Sequence, residues 1–178
     1  MEKLDIEGCL RSMEIIIDTR EQPSLRAKRR YKNFECEYYR QTLDYGDYTY
    51  NFTLPNGEKL FCSDIRIKGH AVIERKMDLD ELASCFTHDR KRFQAEFERA
   101  TSAGATIYLL IEDANWENLI NGKYKSKFQP KAFLASITAW SARYNLKLIF
   151  CKNETSGRLI KEILYRELKE RLEVGFYG

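Results

Sequence analysis

The 178 residues include only three prolines and two histidines, and no apolar run approaches the length of a membrane span. Scarce proline, ordinary hydrophobic content and no low-complexity tract exclude a disordered or fibrous chain. The five cysteines, Cys9, Cys36, Cys62, Cys85 and Cys151, are scattered without a CxxC pair. Zinc ligands usually come in close pairs, so structural zinc is not expected, and an odd count fits reduced thiols. His70 and His88 have no partners at tight spacing, so both read as surface or supporting residues rather than metal ligands or general bases. Lys68-Gly69 lies in no glycine-rich approach to a helix, which excludes a phosphate-binding loop of that kind. The first residues, MEKLDIEGCL, are too charged for a secretory signal. The expectation is a soluble cytoplasmic protein with no membrane partner. No linker or internal repeat is visible, so residues 1–178 read as a single domain.

What is present is 43% hydrophobic and 32% charged residues with a net charge of +3, too small to identify a partner. The distribution says more. RAKRRYK (26–32) packs five basic residues into seven. Such a run is usually a solvated face, and Arg29 and Arg30 become candidates for a nucleic-acid backbone only if a phosphate-handling site lies nearby.

Along the chain, MEIIIDTR (13–20) reads as a short buried strand ending in charge, followed by a Pro-Ser turn and a short helix. FECEYYRQTL (34–43) alternates as a half-buried strand. Pro55-Asn56-Gly57 marks a hairpin between two aromatic-rich runs. HAVIERK is a strand, and Asp78 is placed to cap the helix that follows. An amphipathic helix over 89–103 ends at Gly104, and TIYLLIED (106–113) is a buried strand with acids at its end. Pro130 opens another helix, LKLIFC (146–151) is the last strand, and a helix over 156–173 stops at Gly175. Strands cluster first and then alternate with helices. That order predicts an α/β domain with a mixed central β-sheet flanked by α-helices.

Charge at strand ends carries the chemistry. Asp18 follows EIII, Asp47 sits in YGDYTY, and Glu74-Arg75-Lys76 ends the apolar strand AVI. On a strand, residues 74 and 76 share a face, and a neighbouring strand lies about 5 Å away, within reach of Asp47. Carboxylates so arranged make a hard oxygen site suited to Mg²⁺ or Mn²⁺, and a lysine beside them can orient a water or counter the charge of an attacked phosphate. Taken alone, Glu-x-Lys is common and a surface salt bridge explains it. Its place at the end of a buried strand, one hairpin after a Gly-Asp, sets it apart.

The stretches IIIDTRE, LDYGDY, VIERKMDLD and ASCF…RKRFQAEFERA resemble the nuclease domain of the XPF/Hef group of structure-specific DNA endonucleases. The hallmark is Glu-Arg-Lys followed by Asp, here Glu74-Arg75-Lys76 with Asp80, and the likeness runs from about residue 13 to 173 in the family's motif order. The resemblance implies a restriction-endonuclease-like fold and a Mg²⁺-dependent endonuclease of branched or flapped DNA, with Mn²⁺ as substitute. It implies Asp47 and Glu74 as metal carboxylates, Asp18 supplementing them, and Arg75 on the scissile phosphate or bracing the site. Lys76 would position the attacking water, Asp80 would orient Lys76 or Arg75, and Arg20 and Glu21 would rim the site. Arg90 and Arg92 stand where the family often has a basic residue gripping DNA, or are solvated helix charges.

The segment between Asp47 and Glu74 is longer than the family usually shows, by the hairpin around Pro55, which is read as a longer strand pair. Neither a helix-hairpin-helix nor a helicase is visible, which suits a bacterial or phage-borne nuclease. The family commonly dimerises through its last helices, and Phe133, Trp140, Ile163 and Leu164 would form either such a homodimer face or core. A non-catalytic DNA-binding scaffold is the competing class, disfavoured because it gains nothing from carboxylates facing phosphates. RNA cleavage would use the same chemistry, with no visible feature selecting a 2′-hydroxyl.

Overall fold

A computed structural model describes residues 2–60 and 70–175. Among the described residues seven strands form one sheet: β1 (Glu14–Asp18), β2 (Tyr38–Gln41), β3 (Tyr48–Thr53), β4 (Lys59–Leu60), β5 (Ala71–Lys76), β6 (Thr106–Glu112) and β7 (Lys147–Cys151). The spatial order is β2-β1-β3-β5-β6-β7, with β4 paired to β3. β1 runs parallel to β2 and antiparallel to β3, β3 is antiparallel to β5, and β5, β6 and β7 are parallel. This is the mixed sheet expected.

Period-two alternation sends side chains of one strand to two separate cores. Ile15, Ile17, Ile73 and Leu110 pack under α1 (Lys3–Arg11), α2 (Leu25–Lys32) and α7 (Asn153–Glu173). Val72, Leu109 and Ile111 face α3 (Leu79–Phe86), α4 (Arg90–Ser102), α5 (Trp116–Ile120) and α6 (Pro130–Tyr144). Among these, α1 and α5 carry no strong sequence signal, and α7 begins at residue 153, three positions before the expected start. The strand expected over 34–43 is confined to 38–41, because Phe34 is drawn into the first core. None of the helices among the described residues is long and apolar enough to cross a membrane.

Local signals set the boundaries. Asp78 accepts from the Glu81 N–H at 2.8 Å, and Glu81 in turn accepts from the Met77 N–H at 2.6 Å, a reciprocal cap for α3. Gly57 turns the hairpin at φ +85°, with its N–H donating to the Leu54 carbonyl. Most of the second arm of this hairpin, together with Cys62 and Lys68-Gly69, lies outside the described residues.

The apolar stripe of the last two helices is core. Phe133, Trp140 and Leu164 are fully buried within the chain, and Ile163 packs partly against the first of the two cores. Of these four, only Ile163 keeps surface for a homodimer through these helices. His70 is also buried, stacked at 6.0 Å on Tyr45, which makes it the supporting rather than the surface residue of the two expected alternatives, whereas His88 is exposed. Cys36, Cys85 and Cys151 are free thiols.

Candidate active site

The strand directions bring every charged strand end to one edge of the sheet. β1, β5 and β6 finish there with Asp18, with Glu74-Arg75-Lys76 and with Glu112, and β3 starts there directly after Asp47. The backbone of Asp47 ties two of these ends together: its carbonyl accepts from the Asp18 N–H and its N–H donates to the Ile73 carbonyl, both at 2.8 Å. Gly46 permits this. It holds φ +74°, and a Cβ there would sit 3.1 Å from Val72 Cβ, so a side chain before Asp47 would be strained and crowded. The edge opens into a cleft of about 490 Å³ lined by Asp47, Glu74, Arg75 and Lys76 at its base and by Arg20, Arg92 and Arg99 among its walls.

The Glu-Arg-Lys triplet divides across the sheet. Glu74 and Lys76 face α4, where Lys76 Nζ donates to Glu74 Oε1 at 2.5 Å and lies 5.0 Å from the Phe93 ring centroid. Glu74 is 5% exposed, and its Oε2 is buried with no hydrogen-bond donor. Asp47 Oδ2 accepts from the Arg75 N–H at 2.7 Å. Burial, then the facing Glu74 charge, pushes the Asp47 carboxyl up to about 8. Burial also raises Glu74, against the lowering pull of Lys76 and with the Glu96 carboxylate adding to the rise. Burial disfavours the Lys76 ammonium, but Glu74 and Asp47 outweigh it and push its pKa up, so Lys76 is a proton-holding donor rather than a base. Cys85 also lines the cleft, yet burial pushes its thiol up to about 11, which leaves no thiolate nucleophile.

These residues suit a hard divalent cation. Mg²⁺ is typically held by one or two carboxylates plus waters and substrate phosphates rather than by a closed protein cage. Asp47 and Glu74 provide such a pair, and Glu74 Oε2 is a buried acceptor with no donor among the described residues, with the Glu96 carboxyl set against Glu74. Among the described residues, no set of three His, Cys, Asp or Glu side chains is gathered to hold an ion.

Arg75 points to the opposite side, into a buried cluster. Its guanidinium donates to Glu112 and Glu21, both at 3.3 Å. Arg30 lies at the centre of that cluster. It donates to Glu21 at 2.8 Å, to Tyr48 Oη at 3.0 Å, to Glu112 at 3.0 Å and to Ser156 at 3.3 Å. Arg26 closes the set on Glu112 and Asp113. Three guanidiniums therefore meet three carboxylates, which is how so many charges are tolerated inside.

Several expected positions change meaning. Arg30 is 2% exposed, and α2 turns it into the carboxylate cluster at the edge of the cleft, while Arg29, one residue earlier, stays exposed outside the cleft. Asp18 is fully buried and both its oxygens accept from the Arg20 side chain, at 3.0 and 2.6 Å. Burial opposes its charge, but Arg20 more than compensates and holds the carboxyl below its ordinary value. Asp18 thus anchors Arg20 at the cleft wall and does not line the cleft. Asp80 turns away from Lys76 and Arg75: its Oδ1 accepts from the Lys125 and Ser126 N–H groups at 2.8 and 2.7 Å. Arg92 lines the cleft and is paired with Asp89 at 3.4 Å, whereas Arg90 is exposed beside Trp140.

Arg26, Arg99, Glu96 and Glu112 contribute here without having been picked out from the sequence. Glu112 had a visible signal, an acid ending a buried strand in the manner of Asp18 and Glu74. Glu96 had none: it is one charge among many on α4, and only helix packing sets it against Glu74, where it accepts from the Gly46 N–H at 2.9 Å.

The ERCC4 domain family matches residues 17–163, most of the chain and every element of this sheet edge. The chain belongs to the ERCC4 domain family. Two solved structures of XPF from Aeropyrum pernix resemble this ERCC4 domain. One has 16% identity and a TM-score of 0.58 over 85% of this chain. The other, in complex with DNA, has 18% identity and a TM-score of 0.57 over 86% of it. The aligned part spans 59% and 63% of those chains, so the likeness concerns the shared fold, a restriction-endonuclease-like sheet flanked by helices. Among curated proteins no relative matches.

Proposed function

We propose that this ERCC4 domain is a divalent-metal-dependent endonuclease that hydrolyses DNA phosphodiester bonds, with branched or flapped duplex as preferred substrate and repair or recombination as the setting. The observation that carries the reading is Glu74: a buried carboxylate with one oxygen unpartnered, facing Asp47, beside a protonated lysine in an open cleft. Its family membership and an Aeropyrum pernix XPF structure in complex with DNA support the substrate class.

Asp47 and Glu74 would hold Mg²⁺, or Mn²⁺ in its place. When bound, such an ion polarises a phosphoryl oxygen and lowers the pKa of a water. Lys76 donates hydrogen bonds toward the phosphate or the attacking water, and its ammonium offsets charge building on phosphorus. Arg75 braces the strand end from the other side of the sheet, through Glu21 and Glu112. Arg20, held by Asp18, joins Arg92 and Arg99 in attracting the DNA backbone to the cleft. A non-catalytic scaffold would retain no reason to set half-buried Asp47 beside buried Glu74, since their desolvation and repulsion cost stability and repel phosphates.

The test incubates purified protein with end-labelled linear duplex, 3′-flap, fork and four-way-junction DNA in Mg²⁺, Mn²⁺ or EDTA. A Glu74→Ala protein runs alongside. Metal-dependent cutting that falls by about 100-fold or more in the variant is expected, with the branched substrates cut fastest. Wild type that binds DNA yet never cuts it, with either ion, would transfer the assignment to the scaffold class.

A further inference from the structure

Residues 122–131 connect α5 to the first turn of α6 and carry four lysines, Lys123, Lys125, Lys127 and Lys131. All four are exposed, and none makes an ion pair with any described residue. The residues between them do the anchoring. Tyr124 and Phe128 pack on Phe133 with ring centroids at 5.5 and 5.2 Å, and Tyr124 Oη donates to the Phe128 carbonyl at 2.7 Å. The alternation over 123–128 leaves the lysines exposed and the residues between them half-buried. The loop runs into the N-terminus of α6, which has no side-chain cap and no acid in its first turn, so the positive end of the helix dipole adds to the same surface.

The loop is also fastened to the cleft. Asp80 Oδ1 accepts from two consecutive loop N–H groups, those of Lys125 and Ser126, and this uses a carboxylate to hold backbone rather than to neutralise a lysine. Glu81, the next residue of α3, lines the cleft, as does Met77. A polyanion engaged at Glu74 and extending past α3 would run toward this loop.

We propose that Lys123, Lys125, Lys127 and Lys131 form a second contact to the phosphate backbone of duplex DNA, and that Asp80 is the positioning residue that sets this loop beside the cleft. The inference rests on the proposed function for its choice of DNA. Four unpaired cations at a fixed place match a ligand that carries one negative charge per about 1.7 Å of its axis. The contact reads no sequence and serves register and orientation.

Fluorescence anisotropy of a labelled duplex, titrated in EDTA at salt between about 50 and 200 mM, separates the possibilities. The variant with all four lysines changed to alanine is expected to show a log K against log salt slope shallower by about 2 to 4, at about 0.9 for each phosphate that is no longer neutralised. Asp80→Ala is expected to weaken binding several-fold at low salt, and Asp80→Asn, which keeps an accepting oxygen, to restore it. Thermal melts check that the variants fold. Wild type that binds with a slope the lysine variant leaves unchanged would overturn the loop contact and leave the cleft reading standing. Wild type that binds no duplex at all would remove both.

Discussion

Asp47 shows what a carboxylate set at the base of the cleft costs the fold. Its carboxyl is pushed up to about 8 by burial and by Glu74, against an unfolded value near 3.9. Between those limits the folded protein holds a proton that the unfolded chain has released, so stability falls as pH rises from about 4 to 8. Asp18 behaves oppositely: its lowered pKa gives stability present above the ordinary carboxyl range and lost as pH falls through the folded value. Asp47→Asn can still accept from the Arg75 N–H while removing the repulsion. Metal-free thermal melts should therefore place the variant a few degrees above wild type at pH 8, on the order of 1 kcal/mol, and level with it below pH 4. DNA cutting should be lost. A variant less stable than wild type at pH 8 would mean that the Asp47 charge is compensated in the apo protein.

The helices hold the two sides of the cleft at fixed distances, and Gly157 is where α7 touches α2 most closely. A Cβ at this position would lie 2.2 Å from the Arg30 carbonyl oxygen, which is backbone and cannot swing aside. Gly157→Ala should cost about 1 to 3 kcal/mol in urea unfolding by pushing the two helices apart. Because α2 carries Arg26 and Arg30, the same shift should disturb the brace behind Arg75 and lower DNA cutting. A variant with wild-type stability would show that α7 can translate freely along α2. α3 is set with similar economy: Asp78 caps it, Glu81 returns the bond to Met77, and Asp80 is left to face the lysine loop.

Across the domain, the buried arginine cluster is what joins helix layer to sheet. Arg30 reaches from α2 to Glu112 at the end of β6, to Tyr48 at the start of β3 and to Ser156 on α7. Removing it leaves buried Glu21 facing Arg75 and buried Glu112 facing Arg75 and Arg26, with one positive charge fewer in the cluster. Arg30→Met should therefore destabilise the protein by about 3 to 5 kcal/mol, with DNA affinity falling only as far as unfolding explains. Arg29→Ala should stay within about 0.5 kcal/mol in urea unfolding. Comparable destabilisation by both would show that the basic run acts as one surface.

Much of this was open to reading along the chain, because the signals are local. Apolar runs, the Asp78 cap and the Gly-Asp and Glu-Arg-Lys stretches show where strands end in charge, and period two places Glu74 and Lys76 on one face whatever lies opposite. What the chain order does not contain is which helix covers which face. That alone turned Arg30 inward and Arg29 outward, although the two are neighbours in one basic run. It set Glu96 against Glu74 from 22 positions away and spent both oxygens of Asp18 on Arg20. It also carried Asp80 across to residues 125 and 126, giving a motif aspartate a loop to hold. Local pattern specifies elements and candidate charges; packing between elements distant in sequence selects which charges face the cleft, which neutralise each other, and which remain free for a partner.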